Sequence, residues 1–190
     1  MAENGHSLLS GTYIAIFLRM SSEKIGIFMK IGVLSDTHLL DIDSCRRLAE
    51  RLMSGAFRDV DAILHAGDVV TAELENCFSP VPWYSVRGNM DHSLSDVPVS
   101  RILRFGQKKI GLIHGWGGHA DLEDRVMAYF SGDALDALVY GHSHQPCCHL
   151  ADNILVMNPG SATDRRSAPH HTVGMLTLGE QISGEIIIIG

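Results

Sequence analysis

From residue 30 onward, short apolar runs alternate with segments whose apolar residues recur at helical spacing. "KIGVLSD" stops at a polar cluster and predicts a buried strand. Asp43 is placed to cap a helix running to about Phe57, with Leu48, Leu52 and Met53 at helical spacing. "DAILHAGDVV" holds a second strand, "TAELENCF" a short helix capped by Thr71, and "VPWYSVRGN" a third strand. The order β-α-β-α-β favours a parallel sheet with right-handed crossovers.

The pattern then changes. "RILRFGQKKIGLIHG" predicts two strands joined by a tight turn around Gly106. "HADLEDRVMAYFSG" predicts an amphipathic helix, with Leu122, Val126 and Phe130 one turn apart and Gly132 near its end. "LDALVYG" is another buried strand, "CCHLADNILVMNPGS" a hairpin through Asp152 and Asn153, and "HTVGMLTLGEQISGEIIII" a final hairpin through Gly179 and Glu180. The expectation is a mixed α/β domain, a parallel half followed by a more antiparallel one.

Residues 1–28 stand apart. "GTYIAIFLRM" is too short to span a bilayer, and neither a basic stretch before it nor a small-residue cleavage site after it suggests a signal peptide. They are expected to be an extension upstream of a native start at Met29, or an extra element packed on a single domain of residues 29–190.

The 190 residues suit one domain, and 45% hydrophobic with 19% charged residues is a globular composition. The net charge of -7 and the lack of a basic cluster argue against long nucleic acid and anionic membrane as partners. The 4 cysteines contain no C-x-x-C pair, so no zinc knuckle or disulfide framework is expected, and a reducing cytoplasm is the default location. Cys147 and Cys148 are expected on opposite faces of a strand.

The 11 histidines change the picture more. In open α/β sheets ligands collect beyond the carboxyl ends of strands. Here those ends read "SDTH" with Asp36 and His38, "HAGDVV" with Asp68, "RGNMDH" with Asn89, "GLIHGWGG" with His114, and "LVYGHSHQP" with His142 and His144. Each has an ordinary alternative: Asp36 or Asp68 as a helix cap, Asn89 as a turn residue, His114 as a core histidine. Seven such groups at strand ends are poorly explained by caps and turns. They are too many for one ion and suit two, and oxygen and imidazole donors without thiolate point to Mn, Fe, Ni or Zn. Side chains two apart on an extended strand point the same way, so D-x-H and H-x-H are each expected to aim both donors at one pocket. Asp68 is expected to bridge, one ion on each oxygen.

"SDTH", "GD", "GN" and "GHSH" in this order, with His114 between the last two, resemble the calcineurin-like metallophosphoesterases. The compact length and "NPGS" at 158–161 resemble their small bacterial and archaeal phosphodiesterase branch, which is related to the retromer scaffold subunit. The resemblance covers about residues 29–190. It implies a four-layer α/β/β/α sandwich, two stacked mixed β-sheets flanked by helices, with a binuclear metal centre at one edge. It implies that Asp36, His38, Asp68 and His144 hold one divalent ion and that Asp68, Asn89, His114 and His142 hold the other, Mn first, with Ni, Fe or Zn as alternatives. A metal-bridging hydroxide would attack a phosphodiester of modest size, and the loaded pocket would carry a net charge of about +1 inside an acidic protein.

One position departs from the wider family, which reads G-N-H-D or G-N-H-E. Met90 replaces that histidine, and its thioether cannot donate a proton. His92 is a candidate substitute acid if its loop folds inward, and a surface residue otherwise. His119 either contacts substrate or faces solvent; Arg87 either reaches a phosphate or pairs with an acid. Pro159 and Gly160 suit a structural turn, His65 a core or supporting place, and His170 and His171 the surface or a lid. A non-catalytic binding scaffold and a nuclease for short nucleotides are the competing readings, and a homo-oligomer is left open.

Overall fold

The computed structural model describes residues 28–190. The expectation for residues 1–28 therefore lies outside the described residues except at Phe28.

The elements follow the hydrophobic pattern. Strand β1 (Met29–Leu34) leads to helix α1 (Ile42–Ser54), β2 (Ala62–His65), short α2 (Glu73–Cys77) and β3 (Trp83–Ser85). Then come β4 (Ser100–Phe105), β5 (Lys108–Ile113), α3 (Leu122–Tyr129) and β6 (Ala137–Val139). Hairpins β7 (Cys147–Ala151) with β8 (Ile154–Asn158) and β9 (Thr172–Leu178) with β10 (Ile182–Ile188) complete the chain. Asp152 and Asn153 both take positive φ, the backbone a two-residue hairpin turn requires.

Two local expectations are corrected. The cap of α1 is Asp41, whose carboxylate accepts from the Ser44 N–H at 2.8 Å, while Asp43 sits inside the first turn; the helix stops at Ser54 before Gly55. Thr71 does not cap α2, because its hydroxyl donates to the Glu73 carboxylate instead.

The strands form two five-stranded sheets, ordered β10-β9-β1-β2-β3 and β4-β5-β6-β8-β7. Both are mixed, as expected, and along the chain the parallel run of β1 to β3 is followed by mostly antiparallel pairings. β1, β2 and β3 run parallel in the first; β5, β6 and β8 run parallel in the second. The last hairpin returns to the first sheet, with β9 antiparallel to β1.

Packing produces four layers. Ile31, Val33 and Leu64 from the first sheet meet Ile110, Leu112, Val139 and Met157 from the second in the central core. Leu48 and Leu52 of α1 and Leu74 of α2 cover the outer face of the first sheet. Leu122, Val126 and Phe130 cover the second from α3 and its C-terminal end. Cys148 packs toward the central core and Cys147 toward the α3 layer, opposite faces of β7 as expected. All four cysteines are free thiols. Because each sheet contributes a parallel trio, the carboxyl ends of β1, β2, β5 and β6 open on one edge of the sandwich. Among the described residues, no helix is long and apolar enough to cross a membrane.

Candidate metal centre

The loops beyond those strands do not continue as extended chain. Asp36 (φ 54), His38 (φ 47), Asp68 (φ 57), His142 (φ 71) and His144 (φ 58) are all left-handed. Such backbone costs a non-glycine residue roughly 1–2 kcal/mol and concentrates at functional sites. This corrects the expected geometry: D-x-H and H-x-H aim their donors through left-handed turns, not through strand alternation. The turns are laced together by Asp36 N–H to Gly67 C=O at 2.9 Å and His38 N–H to Asp68 C=O at 3.1 Å in the first sheet and by Gly141 N–H to His114 C=O at 3.1 Å in the second.

The donors from both sheets meet. His144 Nε2 lies 3.3 Å from Asp36 Oδ1 and 3.3 Å from His38 Nε2, and His38 Nε2 lies 3.6 Å from Asp68 Oδ2. On the other side of Asp68 Oδ2, His114 Nε2 stands at 3.5 Å; Asn89 Oδ1 is 3.1 Å from His114 Nε2 and 3.1 Å from His142 Nδ1. Asp36 Oδ1 faces His114 as well, at 3.9 Å. Asp68 Oδ1 accepts the Met90 N–H at 2.7 Å, so only Oδ2 faces both sides. Oδ2 is thus the Asp68 oxygen that stands between His38 and His114.

The backbone presses against both carboxylates. A Cβ on Gly88 would stand 2.2 Å from Asp68 Oδ1, and one on Gly141 would stand 1.8 Å from Ser35 Oγ and 2.8 Å from Asp36 Oδ2. The outer Asp36 oxygen, Oδ2, accepts from Ser35 Oγ at 2.6 Å and from the His142 N–H at 2.9 Å.

Three of the four imidazoles are oriented from behind. His114 Nδ1–H donates to the Ala66 carbonyl at 2.7 Å, His142 Nε2–H to the Gly117 carbonyl at 2.9 Å, and His144 Nδ1–H to the Asp164 carbonyl. Those bonds fix the tautomers and leave His114 Nε2, His142 Nδ1 and His144 Nε2 as bare lone pairs pointing inward. In that arrangement neutral imidazole lone pairs face an amide oxygen at 3.1 Å, a repulsion that a positive charge among them would relieve. Asp36 Oδ1 is buried and makes no hydrogen bond. Donors on one ion at roughly 2.0–2.2 Å stand about 3–3.5 Å apart, the spacing seen here. The residues fit a divalent metal pair.

The protonation equilibria agree. Burial works to raise the Asp68 carboxyl, but hydrogen bonding and charge from His114, the Met90 N–H and His38 outweigh it and hold the group at about 2. Burial works to lower the His114 imidazole, yet Asp68 and Asp36 raise it above its usual value.

Several residues brace the cluster without joining it. Asp91, which sequence reading missed, is buried and accepts three backbone N–H groups: Asp68 at 2.9 Å, Val70 at 2.6 Å and Gly88 at 2.7 Å. The legible signal was an aspartate three residues after the glycine of a Gly-Asn turn, a spacing that favours back-bonding. Ser161 Oγ donates to the Asp36 carbonyl at 2.8 Å and Asn158 Nδ2 to the Gly141 carbonyl at 2.8 Å, so "NPGS" does hold two site loops in place. Arg125 donates to the Trp116 carbonyl at 2.7 Å and to the Gly118 carbonyl, fixing the loop that orients His142.

Of the remaining candidates, His92 is exposed and is not brought to the cluster. Arg87 Nη1 donates to the Ser95 carbonyl at 3.4 Å. His119 is exposed but sits edge-on to His142, ring centres 5.6 Å apart. His65 is fully buried and contacts Thr37 Oγ1 at 3.1 Å. His170 is exposed, whereas His171 is half-buried.

The fold and this edge define a metallophosphoesterase sandwich, and comparison with known proteins agrees. Residues 29–181 match the calcineurin-like phosphoesterase superfamily domain. A protein named "Probable metallophosphoesterase" from Methanothermobacter thermautotrophicus is 35% identical over 165 residues, 85% of this chain and 94% of that one. A structure titled as a novel archaeal phosphodiesterase superposes with TM-score 0.64 at 25% identity, covering 84% of this chain and 99% of the other. Vps29 of Entamoeba histolytica, solved in complex with zinc, shares the fold at TM-score 0.59 and 18% identity over 85% of this chain and all of its own. The chain belongs to the calcineurin-like phosphoesterase superfamily.

Proposed function

We propose that this protein is a binuclear metal-dependent phosphodiesterase acting on a small phosphodiester. The observation that carries the reading is the inward convergence of seven donors with their lone pairs unshielded. Asp36, His38, Asp68 and His144 would hold one ion and Asp68, Asn89, His114 and His142 the other, with Asp68 Oδ2 shared. Manganese is the first choice, with nickel, iron or zinc as alternatives. When bound, two such ions supply the charge that lowers the pKa of water and neutralises phosphate oxygens for in-line attack. The chain's own contribution is preorganisation: left-handed turns, Asp91, Ser161 and the backing carbonyls keep the donors from collapsing on each other. His119, beside His142, would contact the bound ester in this reading. The catalytic unit in this reading is one domain, residues 29–190.

With Met90 in place of a histidine and His92 exposed, neither of these two positions is expected to donate a proton to the leaving group. Aryl diesters, whose leaving groups need no proton, are therefore expected to be cut much faster than alkyl diesters; comparable rates would mean that some other acid operates. The reading itself is tested with a chromogenic diester and added Mn²⁺ or Ni²⁺, before and after chelation. Equal rates in both conditions would refute it. The Vps29-like fold supports a second reading, a scaffold without turnover, which predicts no hydrolysis under any metal.

A further inference from the structure

A second group of ligand-type side chains stands on the outer face of the second sheet, away from the edge described above. Cys147 and His149 are two apart on β7 and project from one face of that strand, while Cys148 between them turns to the central core. Glu123, in the first turn of α3, lies over them. His149 Nε2 is 2.9 Å from Glu123 Oε1; the Tyr140 hydroxyl donates to Glu123 Oε2 at 3.0 Å and lies 3.4 Å from Cys147 Sγ. One ligand atom each from Glu123, Cys147 and His149 fall within 4.8 Å of one another.

We propose that Glu123, Cys147 and His149 form a separate, peripheral binding site for one thiophilic divalent cation, zinc foremost. The donor chemistry argues for this. One sulfur, one imidazole nitrogen and one carboxylate oxygen match the ligands zinc takes, and a thiolate discriminates against the hard cations that oxygen-rich sites accept. The central cluster has no sulfur donor, so the two places differ in which metal they prefer. Tyr140 already holds one Glu123 oxygen and leaves the other turned toward His149. Ligand atoms on one zinc stand about 3–4 Å apart, so the cluster must close by about 1 Å. The half-exposed His149 and Glu123 side chains supply that movement while Cys147 stays fixed in its strand. On binding, the Cys147 S–H bond is replaced by a sulfur–metal bond and the proton leaves to water; nothing is oxidised or reduced. Burial raises the free thiol above its usual value, so without a cation it rests protonated. Three protein donors leave a fourth position to water, which makes the bound ion exchangeable.

The test is a Co²⁺ titration of the full chain. Cobalt on a thiolate gives a near-ultraviolet charge-transfer band that cobalt on oxygen and imidazole donors does not, so the band reports this site alone. It is expected to grow to saturation, to be displaced by Zn²⁺, to vanish in Cys147→Ser and to persist in Cys148→Ser. His149→Ala, at a half-exposed position that folding does not depend on, is expected to raise the Co²⁺ concentration at half-saturation at least about tenfold. No band in the unaltered protein, or one that survives Cys147→Ser or is indifferent to His149→Ala, would overturn the proposal.

Discussion

The two donor clusters are built on opposite principles. The central one draws its groups from five loops of both sheets, sits on strained backbone, and has nearly every ligand held from behind. The peripheral one uses two alternate residues of an unstrained strand and one from a helix, with Tyr140 as its brace and two members open to solvent. The first is rigid before any metal arrives; the second must close around one. Preorganisation of the first kind suits chemistry, where geometry must survive each turnover. The second kind suits reversible capture.

The largest expected effect tests that contrast at its centre. Asp68→Asn removes the one oxygen facing both halves, and diester hydrolysis under saturating Mn²⁺ is expected to fall by about 10³-fold. Cys147→Ser in the same assay is expected to change the rate less than about twofold; a comparable loss would mean the clusters work as one.

Next comes the bracing. Asp91→Asn puts a donor where backbone N–H groups need acceptors, and is expected to cost about 2–3 kcal/mol in urea unfolding. It should also raise the metal concentration needed for activity 10–100-fold. Retention of both quantities would show that the left-handed turns hold themselves.

Acid distinguishes the regions more gently. Burial first, then the positive charge of His114, depresses the His65 imidazole to about 3, against about 6.5 in the unfolded chain. The unfolded state therefore binds the proton more readily, so stability is whole above pH 6.5 and is lost as pH falls toward 3. Between pH 7 and 5 this costs about 2 kcal/mol, and His65→Asn is expected to flatten that part of the stability profile. Smallest of all, His92→Ala is expected to alter the rate less than twofold, as an exposed residue outside the cluster should.

How far this was legible in the sequence follows from the range of each interaction. Strand ends and ligand types are written locally, so Asp36, Asp68 and the histidines could be picked out by position and chemistry. The layer architecture came from resemblance, because short apolar runs do not say which sheet they join. That is why the hairpin of β9 and β10, read from the pattern only as a final hairpin, was not foreseen beside β1. Left-handed backbone was hidden because it is imposed by neighbours, such as the Gly67 and Asp68 carbonyls that capture Asp36 and His38. The surface cluster was hidden for the same reason: Cys147 reads as an ordinary strand residue until α3 lays Glu123 over it.

The Ser161 hydroxyl that grips the Asp36 carbonyl has a consequence for how the protein comes into being. Ser161 lies 125 residues after Asp36, and β9, the neighbour of β1, follows later still. On the ribosome Asp36 and His38 therefore emerge well before the turn that secures their loop. In the proposed reading, ion loading would follow the emergence of that turn, and a product truncated before the hairpin of β9 and β10 would hold the metals less well.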